Sequence, residues 1–278
     1  MKFKRRMGLL FTYLILTVIS IICFFPFVWM LSSSLKPEAE IFAFPPEIIP
    51  STIEWRNYAY VFRDMPMWNY LLNSVKITSI VLVCGTLIAS MSGYAFTKID
   101  FPFRNFMFFL PLCSMMIPNE VIIIPLFKIW STLGAVNTHI PLIVTKIVGA
   151  GGMYGVFLMR QFYLSIPTEL CEAAKIDGCN PLTTYAHIFL PISGIAFATL
   201  GIHTFVTCWN DFFDPLIYLN DAKKYTVPLG ISLYSDEQVM SWAELMAASI
   251  IATLPLVIGF FCAQKRFMSS MATSGMKS

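Results

Sequence analysis

Apolar residues run along this chain in stretches longer than a globular core needs, and polar residues return in short clusters between them. A hydrocarbon layer about 30 Å thick takes ~20 residues of helix, because a spanning segment must satisfy its own backbone hydrogen bonds. By that ruler the pattern predicts six spanning helices, at about 9–31, 75–97, 105–130, 140–160, 192–218 and 245–263. The first, MGLLFTYLILTVISIICFFPFVWML, carries no charge and holds Pro26 as an expected kink. Its basic start, MKFKRR, suits a secretory leader, but the apolar run is too long and no A-x-A site follows, so it reads as retained. The third span contains Glu120, and the fourth contains Lys146 and a loosening GAGG. Before the fifth, Pro181 and Pro191 divide a charge-free run. The remainder is an outer segment at 32–71, a loop at about 165–191 and a tail at 264–278.

Composition agrees with this reading. Of 278 residues, 57% are hydrophobic and 13% charged, against about 25% charged in ordinary soluble chains. Mean hydropathy is +0.69. The fold class is therefore all-α, a polytopic membrane protein forming one membrane domain over 1–278. With six spans both ends share a side. If that side is inner, Lys2, Lys4, Arg5, Arg6, Lys98, Arg104, Arg160, Lys175, Lys265, Arg266 and Lys277 face in. Lys36, Arg56, Arg63, Lys223 and Lys224 then face out, and eleven against five obeys the positive-inside rule. Trp29, Trp55, Trp68, Trp130, Trp209 and Trp242 fall near span ends or in outer segments, as interfacial anchors do. The seven cysteines form no C-x-x-C pair and read as small buried hydrophobes. No metal set, acid pair or activated nucleophile gathers near one interface, so no catalytic residue is assigned, and nothing points to nucleic acid.

The loop after the fourth span is the most informative stretch. Ser165 is placed to cap a helix entered through Pro167, with Thr168, Glu169 and Glu172 in its first turns, where the helix dipole favours acid. Gly178 then supplies a left-handed terminator, Asn180 a new cap and Pro181 a first residue for a second helix. Ala173 and Ala174 leave one side of the first helix thin, with Glu172 and Asp177 near its ends. Such a unit is either a plain interfacial hairpin or a knob for a soluble partner.

The spacing decides between them by resemblance. Glu172-Ala173-Ala174, then Gly178, then Ile188-x-Leu190-Pro191 resembles the EAA loop of ATP-binding-cassette importer permeases, and Asp177 before the glycine strengthens the match. The likeness runs along nearly the whole chain and is to the smaller membrane subunit of the carbohydrate branch. SSLKPEAEIFAFPPEIIP with EWRNYAYVF resembles that branch's first outer segment, with Ser34, Lys36, Pro45, Pro46, Pro50, Asn57 and Tyr58 in place. Asn73-Ser74 leads into the second span as in the branch. IPNEVIIIPLF resembles its third span, CWNDFFDPL its fifth and QKRFMSSMATSGMKS its tail, where Ser270 and Ser278 replace commoner glycines.

The resemblance implies a type I importer permease fold in a bacterial or archaeal cytoplasmic membrane, with both termini cytoplasmic. It implies a homologous second permease, a dimer of ATPase subunits that bind ATP and magnesium, and an extracytoplasmic solute-binding protein. The cargo it implies is a sugar or oligosaccharide, with polyols and phospholipid precursors carried in the same branch. Glu172, Ala173, Ala174, Asp177, Gly178, Ile188, Leu190 and Pro191 would couple the chain to the ATPase. The chain has no G-x-x-x-x-G-K-[ST] phosphate loop, so it is read as a transport subunit with no cofactor of its own.

Glu120, Trp209, Asn210 and Asp211 are the candidate pathway residues. An ionisable group within a span faces protein or water, so Glu120 reads either as a pathway or gating group or as a structural partner near Pro118 and Pro125, with Lys146 a possible mate. Trp209 offers a plate for sugar stacking, or an interfacial anchor; Asn210 offers hydrogen bonds, or a tie between helices. His203 reads first as a packing residue. An ion-coupled secondary carrier using Glu120, Lys146 and His203 is the competing function. It gives no reason for the loop spacing.

Overall fold

The computed structural model describes residues 2–236 and 241–274, and every regular element among them is helical. Side chains are described at 8–235, 241–262 and 264, so the terminal basic residues Lys2, Lys4, Arg5, Arg6, Lys265, Arg266 and Lys277 lie outside the described side chains, and the last four tail positions lie outside the described residues. Two compact units are formed, Met1–Met67 with Ile231–Leu254, and Trp68–Gly230 with Pro255–Ser278.

In chain order the helices are α1 (Lys2–Ser34), α2 (Glu38–Ile41), α3 (Arg56–Asp64) and α4 (Met67–Ile80), with a π turn at Val81–Gly85 leading to α5 (Thr86–Lys98). Next are α6 (Arg104–Ser114), α7 (Asn119–Thr132), α8 (Ile140–Val148), α9 (Ala150–Leu164), α10 (Glu169–Ile176) and α11 (Pro181–Thr184). A second π turn, Tyr185–Phe189, precedes α12 (Leu190–Ile192), and α13 (Gly194–Trp209), α14 (Phe213–Tyr218), α15 (Val227–Asp236) and α16 (Trp242–Ser274) complete the chain.

Four helices are long and apolar enough to cross a membrane: Gly8–Ser34, Met67–Lys98, Ile140–Leu164 and Trp242–Cys262. Two bent pairs bring the number to six if each is one span: α6 with α7, bent by 99°, and Pro181–Ile192 with α13, bent by 77°. The second bend falls just after Pro191, one of the two prolines that divide that run, and the first falls at Pro118. The third span breaks at Met115–Pro118, where Pro118 takes an extended ψ of 137° at the start of α7 and has no N–H to continue the ladder. Glu120 sits in the first turn of α7, just after that bend, and is exposed. The fifth ends at Trp209 instead of 218, and Phe213–Tyr218 is a separate short helix.

In the first unit, the residues after α1 form a hydrogen-bonded knot. Asn57 Nδ2 donates to the Ser34 and Lys36 carbonyls at 3.0 Å each. The Ser34 and Tyr58 hydroxyls lie 2.8 Å apart. Lys36 is 1% exposed, its ammonium donating to the Glu47 carbonyl and lying 4.5 Å from the Trp29 ring centre. Glu38 accepts from the Trp242 and Ala243 amides at 3.0 Å each, which satisfies two orphan donors at the start of α16.

In the second unit α5 and α9 pack at backbone distance. A Cβ added at Gly93 would stand 2.8 Å from Met159 Cβ and 2.9 Å from the Arg160 amide nitrogen; one added at Gly155 would stand 2.9 Å from Ala89 Cβ. Small residues allow this approach, and in lipid that approach replaces the hydrophobic drive between helices. Around the seam lies a core of Tyr94, Phe108, Met159, Tyr163, Tyr185 and Phe189. Gly93→Ala is expected to cost about 1–3 kcal/mol by overpacking, read as a lower unfolding temperature of the purified protein in detergent, while an exposed control such as Gly8→Ala changes nothing.

Candidate functional site

The loop after α9 is built by local chemistry. Ser165 does not cap α10 as expected: its hydroxyl donates back to the Phe162 carbonyl at 2.7 Å and closes α9. Thr168 stands at the start of α10 without a side-chain cap. The other end follows the expectation. Gly178 takes φ +80°, and two bonds close a Schellman end, Cys179 N to Ala174 O at 2.9 Å and Gly178 N to Lys175 O at 3.2 Å. Asn180 Oδ1 then accepts from the Thr183 amide at 2.9 Å, and Pro181 opens α11.

The surface this turn presents is apolar at its tip. Ile176 is 87% exposed, Leu182 69% and Leu170 41%. Glu172, Ala173, Lys175, Asp177 and Gly178 surround them, all exposed. The two alanines do not make one thin side, since neighbours on a helix point about 100° apart. Ala173 faces out, and Ala174 is 2% exposed and buried in the body. Ile188 and Leu190 pack against the core, and Pro191 is exposed. Cys171 lies on the inward side; burial pushes its thiol up, with Lys98 opposing, so it is a packing group and not a thiolate.

A cluster of buried hydroxyls holds this loop to the spans. Ser90 Oγ on α5 lies 2.7 Å from the Tyr163 hydroxyl on α9 and accepts from the Tyr185 hydroxyl at 3.0 Å. Ser193 Oγ, at the bend before α13, is 3.0 Å from the same Tyr163 hydroxyl and bonds the Phe189 carbonyl. Lys98 Nζ donates to the Ile166 carbonyl at 2.6 Å. Both ends of the loop are thus tied to α5. Sequence reasoning passed over Ser90, Tyr163 and Ser193, because lone hydroxyls in apolar runs carry no motif.

The second feature is a cavity of about 580 Å³. Its walls include Ser114, Asn119 and Trp130 from the third span, Thr145 and Lys146 from α8, His203 and Thr207 from α13, and Asp214 from α14. Lys146 does not meet Glu120. Its ammonium pairs with Asp211 at 2.8 Å and Asp214 at 3.1 Å, all three side chains being largely buried. Asp214 was legible only as part of CWNDFFDPL, three residues after Asp211. Trp209 is 2% exposed and stacks on Phe205 at 5.9 Å, so its face is closed to a ligand in this chain. Asn210 ends α13, its side chain donating to the Val206 carbonyl at 3.0 Å. His203 packs on Tyr154 at 4.4 Å and also lines the cavity. Trp130, assigned no role beyond anchoring, forms part of the wall.

Residues 82–273 match the family described as binding-protein-dependent transport system inner membrane component. The chain belongs to that family. It is 32% identical over 280 residues to the arabinooligosaccharides transport system permease protein AraQ of Halalkalibacterium halodurans, covering 99% of each. It is 32% identical over 263 residues to the trehalose/maltose transport system permease protein MalG of Thermococcus litoralis, covering 94% of each. The lactose transport system permease protein LacG of Rhizobium radiobacter is 28% identical over 271 residues, 98% of this chain and 97% of that one. In fold the chain resembles a crystal structure of a bacterial ABC transporter involved in the import of the acidic polysaccharide alginate, with a TM-score of 0.79 and 22% identity over 94% of this chain and 97% of that one. The protein is thus a membrane permease of the type I importer fold, as the loop spacing implied.

Removing the hydroxyl that joins the loop to the spans tests the tie directly. Tyr163→Phe leaves Ser90 and Ser193 without that partner and is expected to cost about 1–3 kcal/mol of stability, seen as a lower melting temperature and faster proteolysis between residues 165 and 191.

Proposed function

We propose that this chain is one membrane half of an ATP-driven sugar importer, and that α10 with its glycine turn is the part an ATPase subunit grips. The observation that carries the reading is the loop: an apolar tip of Ile176, Leu182 and Leu170, ringed by Glu172 and Asp177, in a loop whose two ends are tied to α5, by Lys98 to the Ile166 carbonyl and by Tyr185 to Ser90. A rigid helix fixed to the spans passes on rigid-body motion, where a loose loop would absorb it. Closure of two ATPase subunits on ATP and magnesium then moves the spans, and hydrolysis lets them return. The other half is a homologous permease, and an extracytoplasmic solute-binding protein delivers the cargo. Both termini lie on the cytoplasmic side.

The sugar assignment draws on the relatives, whose names specify arabinooligosaccharides, trehalose or maltose, and lactose. The cavity volume of about 580 Å³ falls within the ~300–1,000 Å³ of small-molecule sites. We read the cavity as this subunit's share of the pathway. The carrier alternative has less support, since Lys146 is held by Asp211 and Asp214 instead of joining Glu120.

Two variants test the coupling surface in proteoliposomes containing the complete transporter. Gly178→Ala forces an L side chain to φ +80° with open space around it. The strain of ~1–2 kcal/mol is conformational, so uptake should fall several-fold, and Gly178→Asn, which tolerates that region, should restore most of it. Ile176→Asp puts a charge into the apolar tip. It is expected to cut co-purification of the ATPase and ATP-driven uptake by more than tenfold with an unchanged melting temperature; full uptake by this variant would sink the coupling assignment.

A further inference from the structure

We propose that the cavity is a subsite for uncharged saccharides and discriminates against acidic ones. This rests on the reading of the chain as a sugar permease. Among the described residues that line the cavity, the fixed charges are Lys146 and Asp214, and Asp211 joins them through the same ammonium. One positive and two negative groups leave the cluster at −1. The lysine is held at 2.8 Å and 3.1 Å by the two carboxylates. An anionic sugar that approached it would meet an uncompensated carboxylate rather than a free cation.

Three of the lining hydroxyls point the same way. Each cavity hydroxyl has one proton, and three of the protons are committed to backbone carbonyls: Ser114 to Pro111 at 2.6 Å, Thr145 to Pro141, and Thr207 to His203 at 2.9 Å. What these side chains still offer is oxygen lone pairs. Together with Asp214 they make a wall rich in acceptors. A saccharide hydroxyl can donate to these oxygens, which a carboxylate or phosphate cannot do; the donors left in the wall include the Asn119 amide and the Trp130 indole N–H, which is buried without a partner and open to any acceptor. Trp130 adds an aromatic surface for the apolar face of a sugar ring.

The test uses the assembled transporter in nanodiscs, without its solute-binding protein, and measures equilibrium binding of radiolabelled maltotriose, arabinotriose and trigalacturonate. At least one neutral trisaccharide is expected to bind ten times more tightly than trigalacturonate. Asp211→Asn with Asp214→Asn frees Lys146 and should narrow that ratio at least tenfold. Thr207→Val, a near-isosteric loss of one acceptor, should weaken neutral binding about fivefold while leaving the melting temperature alone; it serves if the double variant does not assemble. The proposal is overturned if trigalacturonate binds wild type as well as the neutral probes do, if no neutral probe binds, if the double variant assembles and keeps the wild-type ratio, or if Thr207→Val binds like wild type. ATP- and binding-protein-dependent uptake by wild-type proteoliposomes is measured alongside. Its absence would sink the importer reading itself, and its presence with the wrong selectivity sinks only this inference.

Discussion

Two glycines, Gly93 and Gly155, bring α5 and α9 so close that a methyl group at either position would press on the facing helix. Between helices in lipid the gain comes from packing and hydrogen bonds rather than from shedding water, so this seam is where the second unit finds cohesion. The approach also sets Ser90 beside Tyr163, and through them Tyr185 and Ser193 are held. Wider spacing would leave those hydroxyls unpaired in an apolar core, at a cost of several kcal/mol each. The backbone seam and the hydroxyl cluster therefore depend on each other, and the orientation of α10 depends on both.

The cavity follows a different rule. An ammonium on a membrane helix must be compensated nearby, and Lys146 obtains two carboxylates from the residues after α13. That choice ties α8 to the end of the fifth span and uses up the only lysine in the cavity wall among the described residues. A group needed to make a span foldable thus also shapes what the cavity offers to a solute.

Local features were legible in the sequence wherever backbone preference sufficed. Gly178 takes the left-handed turn, Asn180 caps the next helix, and the break before α9 falls at Gly149, within the GAGG. Where two local solutions competed, reading failed. Ser165 closes the preceding helix instead of capping α10, because its hydroxyl finds the Phe162 carbonyl one turn back. The third span bends by 99° at Pro118, an angle that hydropathy, apolar on both sides of the bend, does not measure. Trp209 reads equally as a stacking plate or an interfacial anchor, and its burial is set by Phe205, one helical turn away, and by the surrounding fold.

The sequence by itself determined the class of molecule, the number of apolar segments and the loop motif, for these depend on composition, length and spacing along one stretch of chain. Only the tertiary structure decided which partner each buried polar group took. Lys146 joined Asp211 and Asp214 rather than Glu120, and Ser90 joined Tyr163 and Tyr185, across separations of 65 to 95 residues. A charge or hydroxyl in an apolar run declares that it needs a partner, and the choice is made by whichever helices can approach closely enough to supply one.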